Sequence, residues 1–142
     1  DVTTQAQNLE LMLEQQKQIQ NSSIILITHD LAVVAETCHR VAVMYGGKIQ
    51  EIGDVDQIFS DPQHPYTRGL MASLPTTASK NQERLYAIPG NVPSISEMPK
   101  GCKFCTRCEE VIDRCLREEP ALHDLGNGHQ VRCHLVEGAS DE

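Results

Sequence analysis

The 142 residues are 39% hydrophobic but only 4% aromatic and contain no Trp, so a large self-sufficient core is not expected; small metal-stapled modules need less. A formal charge of −8 without any basic run excludes a nucleic-acid surface. The longest aliphatic stretch, Ile24–Ile27, is too short to span a bilayer, and the start DVTTQAQNLE has neither the basic nor the apolar region of a signal peptide.

Taken in chain order, residues 4–19 have the apolar spacing of an amphipathic helix (Leu9, Met12, Leu13, Ile19), with Thr4 and Gln7 placed as a capping box. Asn21-Ser22-Ser23 breaks it. Ile24–Thr28 is β-branched and apolar on both faces, which predicts a strand buried between helix layers. Asp30 is placed to cap a second helix through about residue 38. Val41–Tyr45 and Lys48–Ile52, joined by Gly46-Gly47, predict a hairpin. Two short helices are expected at Val55–Phe59 and Tyr66–Ser73, the second opened by Pro65. Pro75–Glu83 reads as a polar linker, and three prolines between Ile88 and Pro99 exclude long regular elements. One helix candidate, Glu109–Arg117, lies inside the cysteine-rich region Gly101–Leu135, and a short acidic tail follows.

Cys102, Cys108, Cys115 and Cys133 are separated by five, six and seventeen residues, and Cys105 sits inside the first gap. Without a secretory signal, such a cluster points to metal rather than to disulfides. Thiolates suit both zinc and iron–sulfur clusters, and four are needed for either. Spacing alone leaves the two open. Cys102-x₂-Cys105-x₂-Cys108 has the look of half a ferredoxin run, but Cys115 follows six residues later rather than three. Cys38, beside His39, is expected to be a buried apolar residue. His123, His129 and His134 are candidate ligands under the zinc reading, with surface or capping roles as the plainer expectation.

His29 follows a hydrophobic strand, at the end where open α/β sheets present their ligands. On its own the tripeptide Thr28-His29-Asp30 is more simply a strand end leading into a helix cap. Its surroundings add to it. The opening Asp1-Val2-Thr3-Thr4-Gln5-Ala6-Gln7, followed by IILITHDLAVVAETCHRVAVMYGGKIQEIG, resembles the C-terminal half of an ABC-transporter nucleotide-binding domain. Asp61-Pro62-Gln63-His64-Pro65-Tyr66-Thr67-Arg68-Gly69-Leu70 resembles the corresponding segment of the oligopeptide/dipeptide branch, and Ile88-Pro89-Gly90-Asn91-Val92-Pro93 with Gly101-Cys102 resembles that branch's C-terminal extension. The resemblance implies that His29 is the switch histidine reaching the γ-phosphate of ATP, and that Asp1 is the D-loop aspartate at the interface of two ATP-sandwiching subunits. His64 and Tyr66 have structural roles as their simplest reading. The branch carries cysteines at C-x₅-C-x₆-C with a later C-H, matching Cys102, Cys108, Cys115 and Cys133-His134, and in members these four bind a [4Fe–4S] cluster. Cys105 departs from that pattern.

The phosphate loop G-x-x-x-x-G-K-[ST], the LSGGQ-type signature and an apolar strand ending in Asp-Glu do not occur in residues 1–142. The sequence therefore reads as part of a longer protein. The expected fold is α/β: a partial P-loop-type ABC core over residues 1–75, then a small irregular metal-binding domain over 76–142. The implied parent is an ATPase that binds ATP and Mg²⁺ with a second ATPase subunit and drives membrane-spanning permease subunits. It would lie on the cytoplasmic, inner face of the membrane, with a solute-binding protein outside and di- or oligopeptides or related solutes such as nickel as cargo. These 142 residues alone are expected to be inactive. The alternatives are a zinc-stapled interaction module and a free-standing electron carrier.

Overall fold

A computed structural model of the chain describes residues 2–75 and 86–137. Asp1, most of the expected linker and the acidic tail lie outside the described residues. Helix α1 spans Val2–Gln18 and so begins two residues before Thr4, which lies within it rather than capping it. Ser22 closes its C-terminal end, with Oγ donating to the carbonyls of Gln16 and Ile19 at 3.2 and 3.0 Å.

Residues 24–28 are extended but do not form the expected strand. A strand is defined by its ladder, and this segment pairs with none of the four strands of the sheet. Ile25 and Ile27 are 90% and 94% exposed, so one of the two faces expected to be buried is uncovered among the described residues, while Leu26 on the other is half-buried. Helix α2, Leu31–Thr37, follows as expected, with the Asp30 carboxylate accepting from the Ala32 and Val33 amides.

Strands β1 (Arg40–Tyr45) and β2 (Lys48–Asp54) form the expected hairpin, two residues longer on β2. Gly46 and Gly47 both have positive φ, +60° and +75°, the requirement of a type I′ connection. The ladder slips between Val43↔Glu51 and Met44↔Ile49, leaving Gln50 as a bulge residue. Because of that bulge two consecutive polar residues, Gln50 and Glu51, are both fully buried. Helices α3 (Val55–Ser60) and α4 (Pro65–Ala72) come next. Gln57 Oε1 accepts the Asp54 amide at 2.8 Å to open α3, and His64 caps α4.

The cysteine-rich region holds one short helix, α5 (Asp113–Arg117), so residues 109–112 of the expected helix are not helical. It also holds two unforeseen strands, β3 (His123–Asp124) and β4 (Gln130–Val131). Leu125-Gly126-Asn127-Gly128 turns between them, residues 126–128 all at positive φ. The sheet is antiparallel throughout, in the order β1-β2-β4-β3. The C-terminal strands thus extend the sheet of the hairpin. No helix among the described residues is long and apolar enough to cross a membrane.

The main core lies where hairpin, α4 and cysteine loop meet. Of the five aromatic residues, Tyr45, Tyr66 and Phe104 pack together there, with ring centroids 4.8–5.3 Å apart. Cys102, Cys105 and Cys115 complete the buried cluster. A smaller one, Val131, Cys133 and Val136, lies under Leu125.

Candidate metal centre

The backbone fixes the thiols from both sides. Cys102 donates its amide to the Cys115 carbonyl at 2.8 Å, and the Cys105 amide returns to the Cys102 carbonyl at 3.1 Å. The approach of these segments is close enough that a Cβ on Gly101 would stand 2.2 Å from the Cys115 carbonyl oxygen. Cys133 is placed through its neighbour. The Arg132 amide donates to Gln50 O at 2.7 Å, and its guanidinium bridges Ile49 O and Pro120 O at 2.8 and 3.1 Å.

The outcome is convergence. Cys102, Cys105, Cys108, Cys115 and Cys133 all line one small, apolar cavity, closed by residues that include Phe104, Pro65 and Leu135. Cys102, Cys105, Cys115 and Cys133 are buried and Cys108 half-buried, and all are free thiols. Burial pushes the Cys102 thiol up to about 11, with the thiols of Cys115, Cys105 and Cys133 adding to the rise. Burial raises Cys105, Cys108 and Cys133 in the same sense. A positive charge placed among them would reverse that preference, because thiolate and not thiol is the ligand.

The donor chemistry fits a soft metal group: up to five sulfurs around one dry cavity. As it stands the cavity is about 10 Å³, so it offers donors rather than room. Among the described residues no three His, Cys, Asp or Glu side chains are arranged to hold one metal ion.

Behind the cavity lies a polar knot not foreseen from sequence. Glu51, with no exposed surface, accepts the Gln63 and His64 amides at 2.8 and 2.9 Å, and its Oε1 lies 2.7 Å from His129 Nε2. It therefore binds β2, the 61–64 loop and the β3–β4 turn to one another. His129 and His134 are buried rather than at the surface: His129 faces Glu51, and His134 Nε2 meets the Glu118 carbonyl at 2.9 Å. His123 Nε2 lies 3.2 Å from Glu137. Of the three, His134 alone lines the thiol cavity, and His123 and His129 do not. Cys38 is half-buried rather than core, its sulfur 3.8 Å from Thr37 Oγ1.

His64 does more than cap. It is 1% exposed, its Nδ1 accepts the Tyr66 amide at 3.0 Å, and its ring tilts against Phe104 while lining the thiol cavity. Burial lowers its pKa to about 4, against the opposing pull of Glu51. His29 is exposed at the end of the 24–28 segment and lines open clefts beside α1 and α2, apart from the thiols. Asp1 lies outside the described residues.

Residues 50–115 match the family described as oligopeptide/dipeptide transporter, C-terminal region. The chain is 49% identical over 134 residues to the dipeptide transport ATP-binding protein DppD of Escherichia coli (strain K12), covering 94% of this chain and 40% of that protein. It is 50% identical over 136 residues to the oligopeptide transport ATP-binding protein OppD of Bacillus subtilis (strain 168), covering 96% and 38%. The dipeptide transport ATP-binding protein DppD of Haemophilus influenzae is 47% identical over 134 residues, covering 94% and 40%. The chain thus spans about two fifths of the length of these relatives. Over nearly its whole length the chain is thus similar to oligopeptide and dipeptide transport ATP-binding proteins, and over residues 50–115 to the C-terminal region of that transporter family.

Proposed function

We propose that this chain acts as the C-terminal part of the ATP-hydrolysing subunit of an importer of di- or oligopeptides. The observation that carries the reading is similarity, over 94% of the chain, to a dipeptide transport ATP-binding protein. In that setting His29 is the catalytic switch residue. Its exposure at the end of an extended segment leaves the imidazole free to meet a phosphate held by other residues. Asp1 takes the subunit interface. The partners are a second ATPase subunit and the permease subunits on the inner face of the membrane, with the solute-binding protein reached only through them. ATP and Mg²⁺ belong to the assembled site, and these residues alone hydrolyse nothing because the phosphate-binding loop is not among them.

Cys102, Cys108, Cys115 and Cys133 hold a [4Fe–4S] cluster in this reading, supported by their convergence on one cavity. Such a group supplies four covalent anchors and a one-electron couple. Its role here is structural: metal binding becomes folding free energy in a region with strands of two residues and little core.

The test is a chimera in which this chain replaces the corresponding region of the E. coli dipeptide transport ATP-binding protein. Dipeptide uptake is expected to persist, and His29→Ala to abolish it. A folded chimera without uptake, or one indifferent to His29→Ala, refutes the assignment. Iron and acid-labile sulfide near four each per chain, prepared without oxygen, are expected; one zinc per chain would replace the cluster by a clip.

A further inference from the structure

The His64 ring contains a donor with nowhere to go. Because Nδ1 accepts the Tyr66 amide, the ring proton of the neutral imidazole resides on Nε2. That atom is fully buried and has no hydrogen-bond partner. The Arg132 backbone acts on the ring as a weak hydrogen-bond acceptor, raising its pKa slightly against burial, but it forms no contact of full hydrogen-bond geometry. A buried N–H without an acceptor is costly and rare, and it calls for a specific explanation.

The ring cannot easily turn away. Its own amide is held by Glu51 Oε2 at 2.9 Å, its Nδ1 by the first turn of α4, and its face by Phe104 at a centroid distance of 5.9 Å. It lines the same cavity as the five thiols, which Glu110 and His134 also line, so sulfur is the most numerous acceptor type around Nε2–H.

We infer that His64 is a tuning residue of the metal centre, whose Nε2–H donates to a thiolate or sulfide sulfur once iron and sulfide occupy the thiol cavity. The inference rests on the iron–sulfur reading above. Hydrogen bonds to sulfur favour the more negative, reduced form of such a group, so His64 raises its reduction potential. Two substitutions separate this role from capping. Asn at position 64 retains an acceptor for the Tyr66 amide but is too short to offer the inward donor; Gln retains an amide N–H of similar reach.

The experiment loads the chain anaerobically with ferric iron and sulfide in the presence of dithiothreitol, the ferric iron supplying the oxidising equivalents of a mixed-valence cluster and the thiol reducing the remainder. It measures bound iron, the midpoint potential, and the ¹⁵N shifts of the His64 ring before and after loading. Wild type, His64→Gln and His64→Asn are expected to bind equal iron. The reduction equilibrium should fall about tenfold in His64→Asn, equivalent to about 59 mV for one electron, and recover in His64→Gln. Equal potentials at equal iron would overturn the inference while leaving the cluster in place. Absence of iron in folded wild type would overturn both. Should neither variant fold, the wild-type ring decides: a proton on Nδ1, or an Nε2 resonance unmoved by loading, refutes the donor, and a loading-dependent Nε2–H shift sustains it.

Discussion

Glu51→Ala tests whether the hairpin and the cysteine-rich region are held together by one buried carboxylate. In the native chain Glu51 satisfies the Gln63 and His64 amides and faces His129, and the site is closed to water. Removing it strands two buried polar groups, the His64 amide and the His129 ring, and the half-buried Gln63 amide, each buried one worth about 1–3 kcal/mol when unsatisfied. Some of that is recovered because the carboxylate no longer has to be buried, so the net loss is about 3–5 kcal/mol, the usual result of breaking a buried pair. For a domain of this size that corresponds to a fall in melting temperature of more than about 10 °C. Glu51→Gln keeps one acceptor oxygen but turns a donor toward a donor, and should cost about 1–3 kcal/mol. Urea unfolding followed by tyrosine fluorescence and far-UV dichroism is the assay. Removing a single capping contact costs about 1 kcal/mol, so a Glu51→Ala loss below that level would refute the idea that this carboxylate joins three segments.

Gly101→Ala forces a methyl group onto the Cys115 carbonyl oxygen, so the two thiol-bearing segments must part; a loss of about 1–3 kcal/mol and of iron uptake is expected, and unchanged uptake would contradict the close approach. Asp30→Ala removes the acceptor of two α2 amides and should cost about 1 kcal/mol by thermal melting, with Asp30→Asn near neutral. Cys105→Ser is expected to leave iron content unchanged while Cys108→Ser lowers it sharply, as read by iron analysis after anaerobic loading; equal losses would place Cys105 among the ligands.

Local chemistry was legible in the sequence and distant pairing was not. Asp30, Gly46-Gly47 and Pro65 act within a few residues of themselves, so α2, the hairpin turn and α4 could be read almost to the residue. The 24–28 segment shows the opposite case. Its apolar pattern describes a strand between layers, but a strand exists only with its neighbours, and none pairs with it among the described residues. The Glu51–His129 contact spans 78 positions and depends on the Gln50 bulge, which turns two adjacent polar residues inward; strict alternation would have put one of them in water. Strands β3 and β4 are two residues each, below what periodicity can detect. Their turn, Gly126-Asn127-Gly128, was the one available signal. The cysteine spacing announced a soft-metal site without saying which histidine would face it, because His64 reaches the thiols through tertiary packing.

These two kinds of support predict an unequal response to metal loss. The 129–132 segment is tied to the hairpin independently of any thiol: Arg132 donates its amide to Gln50 and its side chain to Ile49, Arg40 reaches the Gly128 carbonyl at 3.1 Å, and Val131 is fully buried against β2. Residues 101–117 have no strand to join. They are held by turns onto themselves, by the link between Cys102 and Cys115, and by side chains alone otherwise: Phe104 on Tyr45 and Tyr66, Arg107 on the Ile88 and Pro89 carbonyls, and the Arg68–Glu110 and Arg114–Glu137 pairs, so much of their backbone order depends on what joins their sulfurs. Amide hydrogen exchange on iron-loaded and iron-free chain should therefore show the Arg132 amide protected in both, and the Cys102 and Cys105 amides protected only in the loaded form. Uniform loss across both segments would mean that the metal supports the whole C-terminal region. Protection of Cys102 unchanged by iron removal would mean that packing against Tyr45 and Phe104 suffices, and that the thiols are there for a purpose other than folding.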